Sequence, residues 1–227
     1  MNDKKDLFHT IEKSRTFRNL CELFGLTSKK VLDIGCGHGH YLIHFGPGSI
    51  GITTAQEEVD FGEANSLSIQ FGNAEDVTET LGNQTFEVFW ANNLFEHLVS
   101  PHIFLMKLKK IANKDSLIIL GVPVIPKIVS LVHLRWWRGM LASNHIIFFT
   151  EDTLGLTVER AGWSVESIRP FIFQNRILDA IVKPIAPHLY VIARNKADFK
   201  YPPKKVGEWK DDPKYDELLS ITHQNVR

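Results

Sequence analysis

The stretch VLDIGCGHGHYL, residues 31–42, decides the fold class of this 227-residue chain. It opens with a short apolar run that stops at glycine, which is typical of a buried strand in a parallel sheet. Three alternating glycines follow, Gly35, Gly37 and Gly39. Glycine lets a ligand lie against bare backbone, and α/β sheets bind ligands at the carboxyl ends of their strands. The stretch therefore predicts a ligand-binding turn at the end of a strand.

The rest of the chain alternates between strand-like and helix-like segments. Besides 31–35, the predicted strands are 49–53, 67–71, 86–91, 116–122, 163–173 and 189–193. Helices are predicted to open at Tyr41 and to cover 56–65, about 101–112 and 150–161. The last begins at Thr150, with Thr153 in place of the usual capping-box glutamate. This alternation predicts an α/β fold, a Rossmann-like seven-stranded mostly parallel sheet with helices on both faces and a helical lid insertion.

A single domain accounts for the chain, with three regions added to the sheet. Residues 1–28 are predicted to form an N-terminal helical cap. Residues 123–146 are predicted to form a lid insertion, because the segment is apolar, helix-like and longer than a connection needs. Its cluster RWWR, residues 135–138, is interpreted as a helix packed over the site, with an acceptor clamp or a membrane-surface anchor as alternatives. Residues 196–227 form a polar C-terminal extension, either loosely packed or partner-binding.

Composition and charge exclude several classes of protein. The formal net charge is zero and the pI is about 7.2, so no overall field draws the chain to nucleic acid. Cys21 and Cys36 form neither a disulfide framework nor a zinc-ligand pair, which fits a reducing, cytoplasmic compartment. No export signal or stable membrane insertion is expected, since the start is charged and prolines interrupt the apolar stretch 116–134. Four lysines are interpreted as the solvated face of a helix: Lys107, Lys109, Lys110 and Lys114.

A dinucleotide site does not fit the glycine-rich stretch. Such a site has its third glycine at position 40 and an acid about twenty residues on, where this chain has His40 and Thr53. The pattern present is an acid, Asp33, followed by three alternating glycines. It closely resembles the first motif of class I S-adenosylmethionine-dependent methyltransferases. The resemblance implies that S-adenosylmethionine is the cofactor and that Asp33 lies close to its amino-acid portion. It also implies that the glycines leave room for the cofactor to lie against the backbone.

Further motifs of that family follow in order, over roughly residues 28–195. GIT at 51–53 stands where the family usually has an acid for the ribose hydroxyls, although branches resembling the cyclopropane-fatty-acid and tocopherol methyltransferases also carry threonine here. GNAE at 72–75 resembles the segment that binds the adenine amino group, with the carbonyl oxygen of Asn73 as acceptor. The resemblance implies these cofactor-binding residues: Asp33, Gly35, Cys36, Gly37, Gly39, Thr53, Asn73, Ala74, Glu75, Ala91 and Asn92.

Two histidines are the candidate catalytic residues. FEVFWANNLFEHL, residues 86–98, resembles the family's fourth strand with its Glu-His ending, and HIIFFTEDTLGLTVERAGW, residues 145–163, resembles the passage after the lid. His97 is interpreted as a general base for a hydroxyl acceptor, and His145 as a second group facing it. The alternatives stay open that His97 only packs or caps its helix and that His145 bridges loop carbonyls. No metal site is expected from the ligand spacing.

These observations predict a methyltransferase that acts on a small-molecule acceptor, preferably at oxygen, as a monomer or homodimer. The Asn/Asp-Pro-Pro-aromatic motif of enzymes that methylate base or glutamine amino groups is absent, since residues 91–94 read ANNL. One alternative keeps the cofactor site but uses a related sulfonium cofactor. Another is a non-catalytic member that binds S-adenosylmethionine or a protein partner, for which Thr53 and Asn73 in place of acids are the only support.

Overall fold

Seven strands lie in one sheet in the computed structural model, which describes residues 11–132 and 145–223. They are β1 Val31–Ile34, β2 Ile50–Thr53, β3 Ile69–Phe71, β4 Phe86–Asn92, β5 Ala112–Pro123, β6 Trp163–Arg169 and β7 His188–Asn195. Their order is β3-β2-β1-β4-β5-β7-β6. Neighbouring strands are parallel, except that β7 runs antiparallel to both β5 and β6. The predicted seven-stranded, mostly parallel sheet is confirmed.

Helices cover both faces of this sheet. They are α1 Arg15–Phe24, α2 Gln56–Ala64, α3 Val77–Leu81, α4 Pro101–Leu108, α5 Lys127–Val132, α6 Glu151–Arg160, α7 Arg176–Val182, α8 Pro203–Trp209 and α9 Asp216–His223. Helix α1 begins after Ser14, whose hydroxyl accepts from the Phe17 amide, and ends at Gly25 in the left-handed conformation. Helix α6 has the predicted capping box, in which Thr150 and Thr153 each accept from the other's amide.

The strands supply two apolar cores because successive residues of a strand point to opposite faces. Leu32 and Phe89 enter the main core, together with buried side chains of α4, α6 and α9. Val31 and Trp90 enter the second core, where Phe17 of α1 packs edge-on against the Trp90 ring. The apolar runs of β1 and β4 are thus buried on both faces, as central parallel strands require.

The helix predicted to open at Tyr41 is wrong. The chain forms only a 3-10 turn there, Leu42–His44. Gly39 and Gly46 bracket a run that is too short for an α-helix to nucleate and propagate. The Tyr41 ring instead packs against Trp90, with ring centroids 5.1 Å apart.

The lysines on and after α4 do not all face solvent. Lys110 and Lys114 are exposed, as predicted. Lys109 is buried, and burial lowers its pKa to about 8. Its ammonium donates to Gly162 O (2.8 Å), Asn195 Oδ1 (2.7 Å) and Lys196 O (2.9 Å). Lys107 is largely covered and ion-paired with Asp76 at 2.9 Å. The prediction of a solvated face is wrong for Lys107 and Lys109.

The C-terminal extension packs on the main core over its described residues, 196–223. Tyr201, Leu218 and Ile221 are buried there, and the rings of Trp209 and Tyr215 stack at 4.6 Å. A loosely packed extension is therefore wrong for this part of the chain. The charged residues that dominate its composition lie on the outer faces of α8 and α9, so composition concealed a sparse apolar face.

Part of the predicted lid and cap lies outside the described residues. The lid begins with α5 after the isolated bridge between Val124 and Phe149. Residues 133–144, which include the RWWR cluster, and residues 1–10 of the predicted cap fall outside the described ranges. Among the helices of 11–132 and 145–223, none has the length and apolar character needed to cross a membrane.

Candidate cofactor and acceptor site

A cavity of about 370 Å³ opens where β1, β2 and β4 end. Seven of the predicted site residues line it: Gly35, Gly37, Thr53, Asn73, Ala74, Glu75 and His97. Surface hollows of about 620 and 770 Å³ lie elsewhere and contain none of these residues. The strand ends of a parallel sheet form the crevice in which α/β proteins bind ligands. The site is therefore identified by the residues that line the smaller cavity and not by cavity volume.

Residues 35–39, the glycine turn, form the floor beside β1. The amides of Gly35 and Cys36 both donate to Ile52 O, at 2.9 and 3.0 Å, which ties the turn to β2. Gly37 has φ +55°, a left-handed conformation that other residues rarely adopt. A Cβ there would lie 3.6 Å from Glu58 Oε1. The turn is therefore a preformed, glycine-dependent cradle.

Asp33 lies behind the turn at the end of β1. It is 2% exposed, and its Oδ2 has no hydrogen-bond partner among the described residues. Burial raises the pKa of this carboxyl to about 8. Asn92 at the end of β4 donates to the Tyr41 hydroxyl at 3.2 Å, while its own buried Oδ1 accepts nothing in the described structure. Unpaired buried acceptors are costly, so these two oxygens, which have no donor among the described residues, suit a donor carried by a ligand.

Thr53 and Glu58 supply a carboxylate that the sequence did not reveal. The Thr53 hydroxyl donates to Glu58, and it accepts from the Ala55 amide at 3.2 Å. Glu58 comes from the first turns of α2 and lines the cavity. Its other oxygen lies 3.8 Å from His38 Nδ1. The acid that Thr53 replaces at the end of β2 is thus present five residues later along the chain.

Asn73 and Glu75 shape the far end of the cavity. Asn73 Oδ1 accepts from the Glu75 amide at 3.0 Å, which begins a 3-10 turn. Glu75 Oε1 accepts from the Ser100 amide at 2.7 Å and so fixes the start of α4. A carbonyl oxygen has two lone pairs, so Asn73 keeps one acceptor site for a ligand amino group.

A carboxylate and two imidazoles meet at the other wall, and we call Glu96, His97 and His145 the histidine cluster. Glu96 is 1% exposed, and neither of its carboxylate oxygens has a hydrogen-bond partner in the described structure. Its Oε1 lies 3.9 Å from His97 Nε2 and 3.8 Å from His145 Nε2. Burial raises the pKa of Glu96, and the two histidines and its own backbone amide oppose that rise. His97 lines the cavity, so the cluster borders it.

Five predicted cofactor residues do not line the cavity, and one of them is Asp33, described above. Cys36 is buried among Leu42 and other apolar groups, and burial raises the pKa of its thiol. Gly39 completes the turn against Leu67. Ala91 points into the main core. Asn92 donates to the Tyr41 hydroxyl, as described above.

Residues 8–168 match the family model for a methyltransferase domain, which is more than half of the chain. The chain belongs to this methyltransferase family. It is an enzyme that uses S-adenosylmethionine as methyl donor. No curated protein matches the sequence.

Solved structures of similar fold include other methyltransferases. An S-adenosylmethionine-dependent methyltransferase from Mesorhizobium loti has 12% identity and a TM-score of 0.60, with 82% of this chain and 100% of that chain covered. A second, from Archaeoglobus fulgidus, has 16% identity and a TM-score of 0.56, covering 86% and 100%. A possible histamine N-methyltransferase from Thermotoga maritima has 15% identity and a TM-score of 0.58, covering 86% and 96%. At such identities the likeness shows the fold.

The methyltransferase's cavity fits its cofactor chemically. The unpaired oxygens of Asp33 and Asn92 can accept hydrogen bonds from the ammonium group of an amino acid. Gly37 has no side chain and leaves room for a ligand to approach the backbone. Glu58 and Asn73 offer acceptors for ribose hydroxyls and an amino group. The residues present therefore fit the polar groups of S-adenosylmethionine in chemical kind.

Proposed function

We propose that this methyltransferase transfers the methyl group of S-adenosylmethionine to a hydroxyl oxygen of a small molecule. The observation that carries the proposal is the position of His97 on the cavity wall, beside the buried carboxylate Glu96 and the second imidazole, His145. A hydroxyl is a weak nucleophile until its proton is drawn away, whereas thiolates and carboxylates attack unaided. Imidazoles placed at the acceptor wall supply that help.

In this proposal, different residues of the chain bind different parts of the cofactor. Asp33 and Asn92 hold the ammonium group, and Glu58, oriented by Thr53, accepts from the ribose hydroxyls. Asn73 accepts from the adenine amino group. Each contact satisfies an acceptor that is buried or lines the cavity. Together they fix the position of the cofactor relative to His97.

The bound cofactor supplies a methyl group on a sulfonium, so the acceptor oxygen bonds to that carbon while the sulfur keeps the electron pair of the broken S–C bond. The chain's contribution is mainly orientation, which accounts for a large share of the rate in reactions of this kind. His97 and His145 polarise the acceptor hydroxyl or take its proton as the oxygen attacks.

The acceptor is proposed to have an apolar portion. Three apolar side chains close in sequence to the histidine cluster are exposed: Val99 is 79% exposed, Ile146 58% and Phe148 50%. The Ile146 amide donates to Glu96 O at 3.1 Å, which places this residue at the same wall. A lipid-like or aglycone-bearing acceptor covers such groups better than a small polar metabolite does.

The test is a methyl-transfer assay with isotopically labelled S-adenosylmethionine and paired acceptors that differ only in a hydroxyl, amine or thiol. We expect a labelled methyl ether, and we expect His97→Ala to lower turnover with little change in cofactor affinity. His102→Gln is the matched control, because His102 bonds to Tyr201 away from the cavity. Label appearing on nitrogen alone would refute the choice of oxygen, and full activity in His97→Ala would remove His97 from the reaction.

A non-catalytic role loses its main support in this proposal. The sequence argument for it was the lack of acids at Thr53 and Asn73. Glu58 lies within hydrogen-bonding contact of Thr53 and lines the cavity, so a carboxylate is available for the ribose. Cofactor binding without turnover on any acceptor would restore that role.

A further inference from the structure

Glu96 is a buried carboxylate whose two nearest charged neighbours among the described residues, His97 and His145, lie beyond hydrogen-bonding distance. It lies on the 3-10 turn Phe95–His97, just after β4, and its side chain is almost fully enclosed. Neither oxygen accepts a hydrogen bond from the described residues. A buried charge in this situation is strongly unfavourable unless it is paired or binds a metal ion. Among residues 11–132 and 145–223, no cationic group lies at hydrogen-bonding distance from the Glu96 carboxylate.

The two histidines face the same carboxylate oxygen. The Nε2 atoms of His97 and His145 lie 3.9 and 3.8 Å from Glu96 Oε1, which is too long for hydrogen bonds. The ligand atoms of the three side chains all lie within 4.8 Å of one another. Ligands bound at about 2.0–2.2 Å to one ion are themselves about 3–3.5 Å apart, so a small inward movement brings these three atoms to bonding distance.

We propose that the histidine cluster, Glu96, His97 and His145, binds a divalent transition-metal ion at the acceptor end of the cavity. Two imidazoles and one carboxylate are a common ligand set for zinc and for ferrous iron, with further positions left open. Mg²⁺ and Ca²⁺ prefer oxygen ligands and are disfavoured here.

Backbone contacts hold the cluster together before any ion binds. The amides of Ile146 and Ile147 both donate to Glu96 O at 3.1 Å, so the segment that carries His145 is fastened to the turn that carries Glu96. The rings of Phe95 and Phe149 stack beneath it at 5.2 Å. Ligands held in place by the scaffold lose less freedom on binding an ion, which favours affinity.

The open positions of the ion face the cavity on the side of His97. If the proposed oxygen methylation is correct, on which this step alone rests, the acceptor hydroxyl occupies one of them. Coordination lowers the pKa of a bound hydroxyl, so its proton passes to solvent and the oxygen attacks as an alkoxide. The histidines then act as ligands that position the ion, and the ion takes over from them the activation of the hydroxyl.

The test uses untagged full-length protein stripped with EDTA and titrated with Co²⁺ and Zn²⁺. We expect one ion per chain with a Kd of about 10 µM or tighter. Bound Co²⁺ should show the visible absorption bands typical of nitrogen and oxygen ligands. Glu96→Gln, which keeps the side-chain shape, and His145→Ala should each weaken Zn²⁺ binding by at least about tenfold. His102→Gln should not change it. Binding of S-adenosylhomocysteine verifies that each variant is folded.

The outcomes separate this proposal from the proposed function. Equal Zn²⁺ affinity in the stripped wild type and His145→Ala, or no Co²⁺ absorption, overturns the metal site. Methyl ether formation by such a protein leaves the proposed function standing. Stoichiometric, Glu96-dependent ion binding without methyl transfer to any hydroxyl supports the metal site and refutes the oxygen acceptor.

Discussion

The glycine turn and the histidine cluster lie at the ends of neighbouring strands, but their carboxylates are suited to different partners. A buried carboxylate with an unpaired oxygen lies at each of them: Asp33 in β1, just before the glycine turn, and Glu96 in the cluster, just after β4. Asp33 has only burial acting on its pKa, whereas Glu96 has two imidazoles within 4 Å. The first carboxylate suits a cationic group carried in by the ligand, and the second suits an ion held jointly with the protein. Burial alone therefore does not say what a carboxylate binds.

The largest expected effect is at the glycine turn. Gly37→Val should weaken S-adenosylmethionine binding by at least about 100-fold, because φ +55° is strained for valine and the new side chain enters the cavity beside Glu58. Isothermal titration measures the affinity. Gly207→Ala in α8, where a Cβ meets nothing within 4 Å, is the control. An unchanged Kd in Gly37→Val would contradict the location of the site.

A smaller loss is expected at the carboxylate that replaces the missing acid of β2. Glu58→Ala should weaken cofactor binding about 10- to 100-fold, the usual value of hydrogen bonds to a charged group. Glu57→Ala is the matched control, since Glu57 is exposed on the same helix. The same titration separates them. If both variants bind alike, Glu58 does not hold the ribose.

The pH dependence of cofactor binding tests Asp33. With its pKa raised to about 8, the carboxyl is protonated in the free protein below that pH, whereas a bound ammonium favours the ionised form. Binding then releases a proton, and affinity should tighten about tenfold as the pH rises from 6 to 7, below the pKa of about 7.7–8.0 of the ligand's own amino group. Asp33→Asn should abolish the slope. A wild-type Kd independent of pH would show that Asp33 stays ionised.

The smallest effect on affinity is expected far from both carboxylates. Lys109→Met removes three hydrogen bonds to Gly162, Asn195 and Lys196 and should lower the free energy of unfolding by about 2–4 kcal/mol. Cofactor affinity at 25 °C should not change. Urea denaturation and titration measure the two quantities. Lys110→Met, at an exposed ion pair with Glu217, is the control and should cost less than about 1 kcal/mol.

The parts of the site that could be predicted are those built from consecutive residues. The glycine turn, Thr53 and the segment 72–75 are local patterns, and six of their predicted site residues line the cavity. Glu58 was missed because its role depends on how α2 leaves β2, which turns a helical side chain back onto Thr53. No local pattern marks that direction.

His97 and His145 were both predicted as site residues, but their meeting at the carboxylate of Glu96 was missed for a different reason. His145 follows His97 only after β5 and the lid have returned the chain to the same wall, so no spacing in the sequence brings the ligands together. Lys109 and the C-terminal extension show the same limit in the fold. Lys109 has the composition of a surface residue, but its partners Asn195 and Lys196 come from a strand added much later in the chain.

The position of β7 has a consequence for synthesis. This strand lies between β5 and β6 but is the last of the seven to be translated. On the ribosome, β5 therefore presents an open edge, and β6 has no neighbouring strand, until residues 188–195 emerge. The Lys109 ammonium likewise lacks some of its hydrogen-bond partners until the end of this stretch has been made. A nascent chain of this enzyme therefore carries an exposed strand edge at β5, a known route to misassembly, until β7 has been made.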